Sequence, residues 1–492
     1  MASNPRAILL IHPLGYCADD AERDIARVVN LMPPLGLCSI AAYLESKGFE
    51  ADIIDCFAHP HSDDVIAAYL RAKEPAFVGV SCTTSGFPDA IRLLTVCKAI
   101  KPDVKAIVGG PHISACKSHI LNSQPVIDFA VIGEGEPVVE QLLSTSGARC
   151  ADIKGLVYRD KDKIIFTGNQ GRGMDLDDLP FPAYDKLWGY PEAYELPIFS
   201  YPRHPTASCV TSRGCPYACS YCDRSVFGRS FRYNSAAYVY RHMKYLRGRW
   251  GIRHVTFYDD QFTLKRERVE ELCRHLIDEP LAMTFNCALR AEHVDYELLV
   301  LMKRAGCWMA SLGVESGDPQ LLSRHRDNGD LELLTERVHD IKRAGIRVKG
   351  LLMLGLPGES EETVKNSMKY VLSLPIDDLN VAKFTPFPGA PIYERIRELG
   401  EFTEDYSKMD CMNFVFVTAG MTRERLEALF IEFYKAHFRR ARVVLGYVAM
   451  LWKSPHSWWR FATRWVSFVA FARSNERIRG RAVGVVRWKQ MH

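Results

Sequence analysis

The chain has 492 residues, 47% of them hydrophobic and 25% charged, with 15 cysteines and a net charge of +4. That length is too great for one ordinary core and implies two to four domains, and the composition excludes a disordered or low-complexity protein. The cysteines are odd in number and mostly isolated, and the start lacks the basic, apolar, small-residue order of a signal peptide, so the expectation is a reducing cytoplasm and no disulfide framework.

The opening run "AILLIH" reads as a first strand. Four more strands are predicted at residues 51–55, 77–81, 105–110 and 128–133, with helical stretches such as "GLCSIAAYLESKG" between them. Strands buried on both faces and alternating with helices imply a doubly wound parallel sheet, over residues 1–145. Such sheets bind ligands in the loops at the carboxyl ends of their strands. Those loops are "HPLGY", "SCTTSGF", "GGPHIS" and "GEGEP", whose glycines and small hydroxyl residues suit close approach to a large polar ligand. Residues 146–205 hold a predicted hairpin, "GLVYRDKDKIIFTG", then a proline-spaced stretch expected to run over the surface as a linker.

From Thr206 a second alternation begins. Six strand–helix units over residues 206–394 fit a partial (βα)6 barrel, with chemistry at the carboxyl ends of its strands. The loop after its first strand reads "RGCPYACSYCDRSVFGRSFR" and holds Cys215-x3-Cys219-x2-Cys222. Cysteine thiolates hold iron–sulfur clusters, and three ligands on a four-iron cubane leave one iron open to a substrate or cofactor. A zinc site would want a fourth ligand at short spacing, and only His204 and Cys209 lie near.

Residues 395–492 are predicted to be mostly helical. The charge is concentrated there: residues 437–492 carry twelve Lys/Arg against the single acid Glu476, and five of the eight tryptophans. The longest apolar run, residues 443–452, is too short to span a bilayer, which needs about twenty residues. Trp458, Phe461, Trp465 and Phe468 fall on one helical face, with Arg460, Arg464 and Arg473 interspersed. Two readings stand side by side: an interfacial helix in contact with a membrane, or a helix packed on the barrel with a solvated basic face. Nucleic acid is set aside, because the aromatics form an apolar face rather than stacking platforms.

The cysteine motif resembles that of the radical S-adenosylmethionine superfamily, and further motifs follow in the family's order. The resemblance implies a [4Fe-4S] cluster on Cys215, Cys219 and Cys222. It places S-adenosylmethionine against Tyr221, against Asp259 or Asp260 in "YDDQF", against Glu315 and Ser316 in "LGVESG", and against Gly355 and Gly358 in "LGLPGES". "FTPFPGAPIYE" resembles the sixth-strand ending. Without the family, Asp259 and Asp260 read as helix N-caps, Glu315 as a partner for an arginine, and the two glycines as turn residues.

The first sheet, with "MPPLGLCSIAAYLESKGFEADIID" and "VGGPHIS…VIGEGEP", resembles the cobalamin-binding domain of class B members of that superfamily. The resemblance implies cobalamin contacts at Pro34, Gly36, Ser81, Thr83, Gly110, His112, Gly133 and Glu134. Cobalamin domains that bind cobalt through histidine carry D-x-H-x-x-G. Here Leu10 stands where that acid would orient His12, so His12 is expected to be a loop residue and not a cobalt ligand. The nearest subgroups are hopanoid C-methylases and the anaerobic magnesium-protoporphyrin IX monomethyl ester cyclase. The expectation is methyl transfer to an unactivated carbon of a hydrophobic polycyclic substrate, a hopanoid-type lipid, with oxidative cyclisation as the alternative reaction. A cobalamin or redox sensor is the non-enzyme alternative. A flavodoxin or ferredoxin is the implied reductant.

Overall fold

The computed structural model describes residues 4–15, 31–60, 62–171 and 173–465. β1 (Asn4–His12) buries residues 7–11 without a break, because helices cover both of its faces. It pairs in parallel with β2 (Glu50–Asp55) and β3 (Pro75–Ser81); β4 (Lys105–Gly109) and β5 (Phe129–Val131) follow. The order β2-β1-β3-β4-β5 reverses its winding between β1 and β3, which opens a crevice at their carboxyl ends. The expected hairpin continues this sheet: β6 (Leu156–Asp160) and β7 (Lys163–Phe166) add antiparallel to the free edge of β5.

The proline-spaced stretch departs from expectation. It is not laid over the surface but wedged between the two sheets, with Leu176, Tyr184, Tyr190, Tyr194 and Tyr201 all buried. The physical reason is its tyrosines, which fill the seam with rings; the hydroxyls of Tyr184, Tyr194 and Tyr201 find partners, while that of Tyr190 is buried without one. Tyr184 Oη donates to the Ser208 carbonyl at 3.2 Å, and Tyr194 Oη donates to Asp55 Oδ2 at 3.0 Å. One hydrophobic core therefore runs from Leu10 in the first sheet through Tyr184 to Phe257 in the second.

The second sheet has six parallel strands: β8 (Thr206–Cys209), β11 (His254–Phe257), β12 (Thr284–Leu289), β13 (Cys307–Glu315), β14 (Arg347–Leu354) and β15 (Asp378–Lys383). The two short strands between, β9 (Ser212–Arg213) and β10 (Arg232–Tyr233), pair antiparallel at the base of the cysteine loop. The outer helices bury one stripe each; Arg266–Asp278 buries Val269, Leu272, Cys273 and Leu276. The result is an open half barrel in the order β15-β14-β13-β12-β11-β8.

The last described helices close the amino end of this barrel. The helix Arg423–Phe438 covers the edge strand, where Tyr434 Oη accepts from the Val381 amide at 3.0 Å. Ala441–Val448 lies under the start of β15, and Pro455–Thr463 lies under the residues that lead into β8. Among the described residues no helix is long and apolar enough to cross a membrane. Phe468, Arg473 and Trp488 lie outside the described residues.

Candidate active site

A cavity of about 660 Å³ lies between the carboxyl ends of the two sheets, and both contribute to its wall. On the barrel side are Cys215, Cys219 and Cys222, with Tyr221, Asp260 and Glu315. The loop that carries the cysteines is pinned at its root. Gly214 has φ +90°, and a Cβ there would lie 1.9 Å from the Ser230 carbonyl oxygen, so only glycine fits before Cys215.

Burial raises the Cys222 thiol to about 12, and Cys215 and Cys219 beside it add to the rise. Burial raises Cys215 as well. Such thiols ionise when a metal takes them. Donors stand ready for the resulting thiolates: Gln261 Nε2 is 3.5 Å from Cys215 Sγ, and Arg290 Nη1 is 3.9 Å from Cys219 Sγ. Among the described residues the one group of three metal-binding side chains with all ligand atoms within 4.8 Å is Glu195, His204 and His456. The three sulfurs are thus spread more widely than the ligands of a single zinc. A cubane binds each thiolate on a different iron, so the donor set fits a cluster.

The two aspartates part company. Asp259 is buried away from the cavity and accepts from Thr211 Oγ1 at 2.6 Å and the Ser212 amide at 3.2 Å, bracing the turn that follows β8. Asp260 faces the cavity and accepts from the Gly214 amide at 3.0 Å. Burial raises its carboxyl, and Asp259 adds to this. Glu315 ends β13 with φ +61°, a strained conformation for a non-glycine residue that turns its carboxylate into the cavity. Burial raises it despite the opposing pull of Arg326 and Arg290. Ser316 is buried behind the wall, 3.1 Å from Ser367 Oγ. Gly355 and Gly358 shape the turn after β14 at φ +92° and +82° and do not line the cavity; the Gly358 amide donates to Thr418 Oγ1 at 2.9 Å.

The opposite wall is the sheet crevice. Gly36, Ser81, Gly110, Gly133 and Glu134 line it; Pro34, Thr83 and His112 do not. Gly110 has φ +102°, and a Cβ would meet the Cys82 carbonyl oxygen at 2.6 Å. These glycines leave a low wall over the apolar ends of β1 and β4, which fits a broad, flat group such as a corrin. His112 is buried beneath it, 3.3 Å from Thr84 Oγ1 and against the rings of Phe87 and Tyr406. Burial holds it neutral, with its pKa lowered to about 4. His12 also stands off the cavity. The acid missing at position 10 comes instead from the end of β2: His12 Nδ1 is 2.8 Å from Asp55 Oδ1.

Sequence reasoning missed the group that ties the walls together. Arg213 reaches from β9 to Glu134 Oε2 at 2.5 Å and to Glu136 Oε1 at 2.6 Å, and Arg232 also bonds Glu134. Ser39 Oγ donates to Glu136 Oε1 at 2.6 Å. Two charges in "GEGEP" and an arginine before Gly-Cys were the available signal. Also missed were Val226 and Phe227, from the far end of the cysteine loop, which lie across the cavity.

Burial pushes the Glu136 carboxyl up, but Arg213 and Ser39 more than offset this and hold it below its ordinary value of 4.5. Asp55 is likewise held low: His12, Ala58 and Tyr194 outweigh its burial. A lowered carboxyl stabilises the fold above its unfolded pKa, and the gain is lost as pH falls through the folded value. The expected result is a melting temperature that drops below about pH 4.5 and a shallower drop in Glu136→Gln, read by circular dichroism.

Comparison with known proteins agrees with this layout. Residues 24–143 match the B12 binding domain, and residues 209–371 match the Radical SAM superfamily. The chain belongs to the cobalamin-binding radical S-adenosylmethionine enzymes, with a [4Fe-4S] cluster, S-adenosylmethionine and cobalamin as its cofactors. It is 28% identical over 445 residues to the uncharacterized methyltransferase PH0819 of Pyrococcus horikoshii, covering 89% of this chain and 94% of that one. It is 26% identical over 442 residues to the anaerobic magnesium-protoporphyrin IX monomethyl ester cyclase of Rubrivivax gelatinosus, covering 88% and 77%. The fold matches that of the methyltransferase TsrM from Kitasatospora setae, solved with cobalamin and a [4Fe-4S] cluster, with a TM-score of 0.69 at 18% identity over 88% and 89% of the two chains.

Proposed function

We propose that this chain is a C-methyltransferase that alkylates an unactivated carbon of a hydrophobic polycyclic molecule. The observation that carries the reading is the shared cavity, with the three-cysteine loop on one wall and the glycine-lined sheet crevice on the other. When bound, the cluster supplies the electron that cleaves S-adenosylmethionine to a hydrogen-abstracting radical, and cobalamin supplies a methyl group.

The residues of the chain would bind and orient. Cys215, Cys219 and Cys222 would hold the cluster, with Gln261 and Arg290 placed to donate to the thiolates of Cys215 and Cys219. Asp260 and Glu315 face the same wall as the cysteines and suit the amino and hydroxyl groups of S-adenosylmethionine. Tyr221 offers its ring to the adenine, backed by Leu321 and Phe384. Leu176, Leu179, Pro180 and Phe227 give the remaining wall an apolar surface that favours a hydrophobic substrate and excludes water. A hopanoid-type lipid satisfies that lining, and so does a porphyrin. The terminal helices do not choose between them, because they lie at the other end of the barrel. We place the enzyme in the cytoplasm or on the inner face of its membrane, and we assign a flavodoxin or ferredoxin as reductant.

The test is anaerobic reconstitution with a strong reductant and candidate polycyclic substrates. Methyl transfer yields 5′-deoxyadenosine and S-adenosylhomocysteine together. Substrate-dependent 5′-deoxyadenosine without S-adenosylhomocysteine would transfer the assignment to the cyclase. A sensor would form neither.

A further inference from the structure

The described part of the molecule has thirteen exposed large apolar side chains, and eight of them lie between residues 438 and 465. They are not scattered. Along Ala441–Val448 and Met450–Lys453, Val444, Leu445, Val448, Leu451 and Trp452 follow one another at helical spacing on the outer face. After the break at Ser454, Trp459 and Trp465 extend the patch, with Trp452 at 78% exposure and Trp459 at 61%.

The inner face is firmly committed. Tyr447 Oη donates to Asp378 Oδ1 at 2.8 Å, at the start of β15. Ser454 Oγ donates to the Tyr201 carbonyl at 2.5 Å, and Trp458 Nε1 donates to the Tyr447 carbonyl at 3.1 Å. Phe199 packs edge-on against both Tyr447 and Trp458. Arg460 is buried, with Nη2 2.9 Å from Glu195 Oε2. Of the aromatics expected to share one face, Trp458 and Phe461 turn inward and Trp465 turns out; Trp459, which was not among them, also turns out.

Exposed apolar side chains gathered on one face and bordered by charge mark an interaction site. Its charge selects the occupant. Arg439, Arg442 and Lys453 are exposed along the stripe, and no Asp or Glu occurs from residue 433 to residue 465. Tryptophan and leucine on a segment whose own charged side chains are all cations match the headgroup layer of an anionic bilayer. We propose that this face seats the protein on anionic lipid. The helices cross the amino ends of the barrel strands, and the cysteine loop leaves from the carboxyl end. The seated molecule therefore turns its cavity away from the bilayer: the surface fixes location and does not feed lipid directly to the site.

Vesicle flotation of the full chain tests this. Wild type is expected to float with phosphatidylglycerol-containing vesicles, to stay behind with pure phosphatidylcholine, and to lose binding as salt rises. The pair Leu445→Ser with Trp452→Ser, and separately Arg442→Gln with Lys453→Gln, should each weaken partitioning at least about tenfold while melting temperature and cluster absorbance stay unchanged. Three outcomes overturn the proposal: wild type that fails to float at low salt, an apolar-pair variant that floats as well as wild type, or a lipid-free dimer that this variant converts to monomer.

Discussion

Replacing Cys219 with alanine is expected to strip the chain of iron and to lower 5′-deoxyadenosine formation by at least about 100-fold, since changing residues that merely support metal ligands already costs 10–100-fold. Cys219 is the buried member of the three, and Arg290 Nη1 points at its sulfur from 3.9 Å. Two remaining thiols cannot hold a cubane against loss. The matched control is Cys209→Ala. Cys209 is also buried and near in sequence, but it sits within β8 beside the Tyr184 hydroxyl and does not line the cavity. Iron content by colorimetric assay should stay at the wild-type level in that variant. A loss of iron in Cys209→Ala equal to that in Cys219→Ala would overturn the assignment of Cys215, Cys219 and Cys222 as the three cluster ligands.

Arg213→Met is expected to be the most destabilising single change at the junction of the two sheets, at about 3–5 kcal/mol. The arginine is 13% exposed and Glu136 5%, so its removal leaves carboxylates buried without their counter-charge. The denaturation midpoint should fall, and cobalamin should be lost on desalting. Adding Glu136→Gln to Arg213→Met should recover part of the loss, because the double variant no longer buries that charge. Arg213→Lys should rescue poorly: a single ammonium cannot fork between Glu134 and Glu136. Full stability in Arg213→Met would show that the clasp is ornamental.

Periodicity carried most of the fold. Strands buried on both faces announce themselves as apolar runs, so the strands of both sheets were legible to within a few residues. The cysteine loop was legible because its spacing is chemistry as well as pattern. Contacts made across the fold were not. Nothing at position 10 reveals that Asp55, forty-three residues from His12, supplies the acid beside its imidazole. Trp458 and Trp459 are neighbours in sequence and lie about 100° apart on a helix. Which of them turns inward is decided by Phe199, whose position depends on the packing of a segment that reads as a loose linker. Its tyrosines were visible; the seam they fill was not. Asp259 and Asp260 differ in the same way, one facing Thr211 and the other the cavity.

That tyrosine-filled seam has a consequence for the chemistry. With Tyr184 bonded to one sheet and Tyr194 to the other, and one apolar interior common to both, the two walls of the cavity are cast as a single block. The distance between those walls is therefore set by side-chain packing, and a change to the seam is also a change to the cavity.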